Sequence, residues 1–211
     1  MRLSPRAMTR AIISATEAKT AALLDMDVRS AYSPLQYRAT GTGTDNVLVV
    51  QGAGRLLDNA GGHSKLGELI AKAVYAGVQE AIYKQNSLST KRNVVQRLKD
   101  RKISLHSLVS EINCQCSPQS KNNLIAGVEE ALLDPTYSNF LEAALTISDD
   151  YEKGLISDLS AFRMWYKEIA SELAGKPVNK MQDLVKKENL PQVQEMAFNA
   201  LFNGILLQEQ K

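Results

Sequence analysis

Two glycine-rich stretches hold the side chains best suited to chemistry. The first, "ATGTGTDNVLVV" at 39–50, offers Thr42, Thr44 and Asp45 between Gly41, Gly43 and an apolar run. Glycines let a turn tighten and let a ligand approach backbone N–H groups. A threonine hydroxyl is a nucleophile only beside a base or an electropositive group, and an aspartate is either that base or a grip on a polar ligand. The stretch lacks the third glycine of a dinucleotide fingerprint and precedes a strand-like run instead of following one. It also lacks the closing Gly-Lys-Ser/Thr of a nucleotide-phosphate loop. A plain turn and a ligand loop both remain open on spacing alone.

The second stretch, "AGGHSKLGE" at 60–68, places His63 after two glycines and just before a helical pattern. A helix start presents free N–H groups and partial positive charge, a setting for an anion or a developing oxyanion. Histidine is the side chain whose proton is most readily exchanged near neutral pH. His63 therefore reads either as a general base or acid, or as a capping surface residue. Ser64 is the N-cap candidate, with Lys65 behind it. Glu17 and Lys19, in "TEAKTAAL" at 16–23, interrupt an alanine-rich helix. They sit about 200° apart around it, so they do not share one face. His106 lies between apolar neighbours and reads as structural. The run 84–102 holds seven Lys/Arg against Asp100 alone, with only Tyr83 nearby as an aromatic. That reads as a solvated helix face, not a nucleic-acid surface.

Elements to position these groups follow from periodicity. Ser4 and Pro5 open a helix that runs to about Met26. Residues 46–51, "NVLVVQ", read as a strand covered on both faces. A long helix over about 63–84 carries Leu66, Leu69, Ile70, Ala73, Val74 and Val78 at helical spacing. Beyond residue 90 the pattern is helical throughout. A short helix spans 92–102 and another follows Ser104. Others precede Pro135, follow it, end at Gly175, and begin at Pro191. The fold class expected is α+β and predominantly helical. A small sheet element near 46–51 is flanked by two long helices, and an all-helical tail follows. A single buried strand lacks neighbours, so its sheet needs strands hidden in loops or supplied from elsewhere.

Composition divides the chain near "QNSLST" at 85–90. Residues 1–88 hold eight of the twelve glycines and carry ten Lys/Arg against seven Asp/Glu, while 89–211 carry 15 against 16. The net charge of +2 gives no global pull toward nucleic acid. No apolar run reaches the ~18 residues of a membrane span, and the basic N-terminus lacks a signal-peptide core. Cys114 and Cys116 are too close for an ordinary bridge and have no ligand company for zinc. They read as reduced thiols, and the expected location is cytoplasmic.

Three stretches taken together, "AMTRAIISATEAKTAALLDMDV", "ATGTGTDNVLVV" and "AGGHSKLGELIAKAVYAGVQEAI", resemble the adenosylcobinamide amidohydrolases of corrinoid salvage. The resemblance covers about residues 4–83, in order and spacing. It implies a domain over 1–88 with a helical extension over 89–211. It also implies hydrolysis of the amide that joins aminopropanol to the corrin ring, giving adenosylcobyric acid. The cobalt corrinoid is then substrate; no cofactor and no metal site are expected. Members of that family usually carry a strand-bearing segment before the "TEAK" helix, so the resemblance implies a C-terminal piece, a misplaced start or one half of a two-chain assembly, and the partners expected are a homo-oligomer or a second chain supplying the missing strands.

Within the resembling motifs, the catalytic candidates are Asp45, His63 and Thr44. Asp45 or His63 would activate water, or activate Thr44 in a covalent variant. The substrate-binding candidates are Gly41, Thr42, Gly43, Glu17, Lys19, Ser64 and Lys65. The helix start and the 41–44 amides would hold the oxyanion or the corrin's amide arms. The alternative is a helical subunit that binds a corrinoid or a partner without catalysis.

Overall fold

The computed structural model describes residues 1–112, 117–185 and 190–208. Cys114 and Cys116 lie outside the described residues. The chain divides into two compact units, Met1–Ser33 with Tyr37–Arg92, and Pro34–Gln36 with Asn93–Lys211. The structure is mostly helical, as expected, with one small parallel sheet in the first unit.

The first unit is two long helices and their connections. Helix α1 spans Pro5–Asp25 and α2 spans Lys65–Asn86, and the two pack against each other. Both begin where the sequence says. The Ser4 hydroxyl accepts from the Ala7 N–H at 3.1 Å, and the Ser64 hydroxyl accepts from the Gly67 N–H at 3.1 Å. Each satisfies a donor that the first turn leaves orphaned. Ala7, Ala11, Ala18 and Ala22 are the buried face of α1. Small side chains let a second backbone come close. Gly67 takes this to its limit, because a Cβ there would lie 2.0 Å from the Gly61 carbonyl oxygen. The turn at 60–61 therefore crosses directly over the first turn of α2.

The sheet is not where the apolar run predicts it. Strands β1 (Arg2–Leu3) and β2 (Leu56–Leu57) pair in parallel, with Arg2 opposite Leu56 and Leu3 opposite Leu57. Residues 46–51 form neither strand nor helix. Val49 packs on the small cluster of Ala7, Ala11 and Ala60, while Leu48 and Val50 face solvent. The expectation of a strand covered on both faces is thus corrected: one face is covered and no ladder forms among the described residues.

The 26–39 connection is held by buried charge. Asp27 adopts a left-handed backbone (φ 49°). Its Oδ1 accepts from Arg29 Nη1 at 2.9 Å and from Arg38 Nε at 3.0 Å. Arg92 donates to the carbonyls of Met26 and Asp27. The basic run at 84–102 is therefore not simply a solvated face: Arg92 and Arg101 are buried.

The second unit is built around its last helix. Its elements are α3 (Val94–Asp100), α4 (Leu105–Ser110), α5 (Pro118–Ala131), α6 (Pro135–Glu152), α7 (Ser160–Ala174) and α8 (Gln192–Gln208). Helix α8 is buried nearly all round and packs on α5, α6 and α7. A helix buried on nearly every side belongs at the centre of a bundle, and the polar side chains it buries there, Gln194, Asn199 and Asn203, are hydrogen-bonded. Phe140, Phe162 and Trp165 form an aromatic cluster between α6 and α7. Arg101 pairs with Asp149 at 3.2 Å, both buried. Gly175 ends α7 with φ 62°, as its position predicts. His106 lies on α4 and is exposed.

Two asparagines on α8 hold the segment before it. Asn199 Oδ1 accepts from the N–H groups of Leu184 and Val185, at 2.9 and 3.0 Å. Asn203, one turn on, exchanges hydrogen bonds with Gln182. Asn199→Ala would leave two buried donors unpaired, so it should cost about 2 kcal/mol. The check is the urea unfolding midpoint of the variant.

Candidate functional site

Helix α1 lines an open cleft of about 610 Å³ with Arg6, Thr9, Arg10, Ile13, Ser14 and Glu17. These positions recur at three- and four-residue steps, so they form one stripe of the helix. Gly61, Gly62 and His63 close the other side. The Ser14 hydroxyl donates to the Ala60 carbonyl at 2.9 Å and pins this turn to the helix. A side chain at Gly61 would meet Arg10 Nη1 at 2.9 Å, so the missing Cβ lets the guanidinium sit against the turn. The cleft thus gathers an imidazole, a carboxylate and two guanidiniums beside the start of α2.

Not every predicted substrate group faces the cleft. The Ser64 side chain is used within the turn, donating to the Gly61 carbonyl at 2.8 Å while capping Gly67. Lys65 is paired with Glu68 at 3.0 Å, and Lys72 also reaches Glu68. The two lysines hold the Glu68 carboxyl below its usual range.

The threonine-glycine loop gathers a second group. Asp45 Oδ2 pairs with Lys19 and accepts from the Thr42 N–H at 2.8 Å. Asp45 Oδ1 accepts from the Thr42 hydroxyl at 2.8 Å. Gly41 lies against the same pair: a Cβ there would stand 3.1 Å from Asp45 Oδ2 and 3.3 Å from Lys19 Nζ. The Thr20 hydroxyl holds the loop by donating to the Thr40 carbonyl at 2.9 Å. Gly43 has open space around it, and Thr44 is exposed.

Lys19 and Thr20 lie about 140° and 240° around α1 from Ser14. The loop and the 60–63 turn therefore attach to different sides of the helix. The structure sets Glu17 and His63 along the lining of one open cleft, and it brings Gly41, Thr42, Lys19 and Asp45 together. It does not place Asp45 or Thr44 among the residues lining the His63 cleft.

The Asp45 carboxyl is pulled down from 3.8 to about 2, by hydrogen bonds from Lys19 first and then from Thr42. A group so acidic holds its charge at neutral pH and accepts a proton poorly, far from the match that favours general-base work. Because the folded pKa is depressed, the unfolded chain takes up the proton first on acidification. The loop's stabilisation by this pair is complete above the unfolded value and is lost as pH falls through about 2. The Thr42 amide resonance should accordingly titrate with a midpoint near 2, and Asp45→Asn should abolish that titration.

Sequence reasoning singled out Glu17, Lys19 and His63 but not Arg6 or Arg10. The signal was present in the spacing, because Arg6, Arg10 and Glu17 stand four and seven residues apart along one stripe.

The comparisons with known proteins fall on this same unit. Residues 1–90 match the model of the adenosylcobinamide amidohydrolase (CbiZ) family. Over residues 1–90, the chain is similar to that family, a match that covers less than half of its length. An uncharacterized protein of Methanocaldococcus jannaschii is 52% identical over 86 residues, which are 41% of this chain and 33% of that protein. The chain spans about a third of the length of that relative. No solved structure matches it. The matched segment contains both glycine-rich stretches, the cleft and the Asp45 loop. No helix among the described residues is long and apolar enough to cross a membrane.

Proposed function

We propose that the His63 cleft hydrolyses the amide joining aminopropanol to the corrin ring of adenosylcobinamide. The observation that carries this reading is the gathering of His63, Glu17 and Arg10 in one open cleft inside the amidohydrolase-family segment. Amide hydrolysis needs an activated nucleophile, charge stabilisation on the carbonyl oxygen, and a proton for the departing amine.

His63 takes a proton from water as the water oxygen adds to the carbonyl carbon. Arg10, seated against the turn before α2, faces the developing oxyanion. When the C–N bond breaks, the imidazolium returns its proton to the leaving nitrogen of aminopropanol. Glu17 orients the imidazole or the attacking water. The products are adenosylcobyric acid and aminopropanol. Asp45 serves as an anchor that holds the Gly41–Thr44 backbone in place for the corrin's amide arms, with Lys19 as its counter-charge. The cleft is within the usual size of a small-molecule site, so a corrin ring overhangs its open side.

The direct test is to incubate the purified chain with adenosylcobinamide and separate the corrinoids by chromatography. Appearance of adenosylcobyric acid supports the reading. Corrinoid binding without product would instead favour a non-catalytic binding subunit.

A further inference from the structure

We propose that the groove lined by α3, α4 and α5 binds a small amphiphilic anion, its aliphatic body on the groove floor and its carboxylate head held by Lys99, Lys102 and His106. The groove lies wholly in the second unit and holds about 660 Å³, a volume usual for a small-molecule site. Val95, Leu98, Ile103 and Ile125 give it an aliphatic lining, and Glu129 is the single acid of that lining. The fold sorts the seven basic residues of 84–102. Lys84 pairs with Glu80, Arg97 with Glu142 and Arg101 with Asp149, while Arg92 donates to the Met26 and Asp27 carbonyls. The side chains of Lys91, Lys99 and Lys102 make no hydrogen bond or ion pair among the described residues. Lys99 and Lys102 line the groove, and His106 joins them from α4.

Helix α3 ends with the Ile103 N–H on the Leu98 carbonyl and the Lys102 N–H on the Lys99 carbonyl, both at 3.0 Å, and Lys102 takes a left-handed backbone (φ 61°). This helix ending ordinarily falls on glycine, because a Cβ is strained there. Helices α6 and α7 end in the same way on Gly154 (φ 71°) and Gly175 (φ 62°). Helix α1 ends so on Asp27, and there the side chain is employed, since it holds Arg29 and Arg38. Lys102 keeps a side chain at the strained position and spends it on no contact within the described chain. Strain of this kind is characteristic of ligand sites, and the groove is what this ammonium lines. The charges select the head and the aliphatic floor selects the body. A cationic head would meet two ammoniums, and a wholly polar anion would leave the floor uncovered. The volume suits a small molecule, where a protein partner would have to cover about 1,000 Å² or more. The site lies in a different unit from the His63 cleft, so it stands apart from amide hydrolysis.

The test titrates the full chain with decanoate, below its micelle concentration, and follows the amide resonances of residues 95–106 and 125–129. Saturable shifts are expected there, with decanoate binding about tenfold or more tighter than decylammonium, which carries the same tail and the opposite head. Lys102→Gly should raise the urea midpoint of the second unit, because glycine relieves the strained backbone, and should weaken decanoate binding about tenfold or more. Lys99→Gln should weaken binding in the same direction. Lys91→Gln removes a charge outside the groove lining and should change binding less than about twofold. A gain of stability with a loss of binding, in one variant, is a result that a purely structural role for Lys102 would not give. Four results would overturn the proposal: no saturable shift in the groove, equal binding of decanoate and decylammonium, wild-type binding by Lys102→Gly, or an equal loss in Lys91→Gln. Groove shifts that depend on protein concentration alone, with a dimeric mass, would also overturn it and assign the groove to a second copy of this chain.

Discussion

His63→Ala should lower the rate of adenosylcobinamide hydrolysis by about 100-fold or more. The substitution removes the only imidazole lining the cleft and touches no packing, because His63 is exposed just before the cap of α2. Helix α2 should form as before, since Ser64 supplies the cap and Gly67 receives it. The loss should therefore fall on kcat, with corrinoid binding nearly unchanged. Asp45→Asn is the informative companion. Its carboxylate is already committed to Lys19 and Thr42 and is too acidic to act as the base. That variant should weaken corrinoid binding through the loop and retain turnover within about tenfold. If Asp45→Asn abolishes kcat while His63→Ala keeps it, the assignment of base and anchor is reversed.

The second large effect is expected from a residue with no chemistry of its own. Gly67→Ala should destabilise the first unit by about 3 kcal/mol or more, at the upper end of overpacking costs. The new methyl would stand 2.0 Å from the Gly61 carbonyl oxygen and 2.7 Å from that of Ala60. Both are backbone atoms, so no side chain can swing aside. The turn must lift off the helix, which breaks the Ser14–Ala60 contact and the Ser64–Gly61 bonds together. His63 would leave the cleft with it. Amide exchange at residues 60–67 and the thermal midpoint of the first unit both read this change. The second unit, which packs around α8, should be unaffected. Gly77 is the internal control, because a Cβ there meets nothing within 4 Å. Gly77→Ala should be neutral or stabilising, since alanine is the better helix former.

Local signals in the sequence mapped well onto local structure. Ser4, Ser64 and Ser104 cap helices because a short hydroxyl side chain meets the N–H three residues on, whatever lies beyond. Pro5 and Gly175 act through their own backbone preferences. The two-helix frame of the first unit and the helical second unit were legible for the same reason. The apolar run at 46–51 was misread because its pattern reports what the side chains need, not whether a neighbour is present to supply it.

The candidate site divides along the same line. Sequence order marked His63 behind its two glycines, Glu17 and Lys19 on opposed faces of one helix, and the hydroxyl-rich loop with Asp45. Residue types and short-range geometry were sufficient for that. Other features needed the tertiary structure. Packing set Glu17 and Arg10 beside a turn more than forty residues away, committed Asp45 to Lys19 across 26 positions, and buried Arg101 against Asp149. Those pairings depend on which helix faces meet. Many partners satisfy a charged side chain equally well in one dimension, and only close packing of α1, α2 and the turns between them selects one.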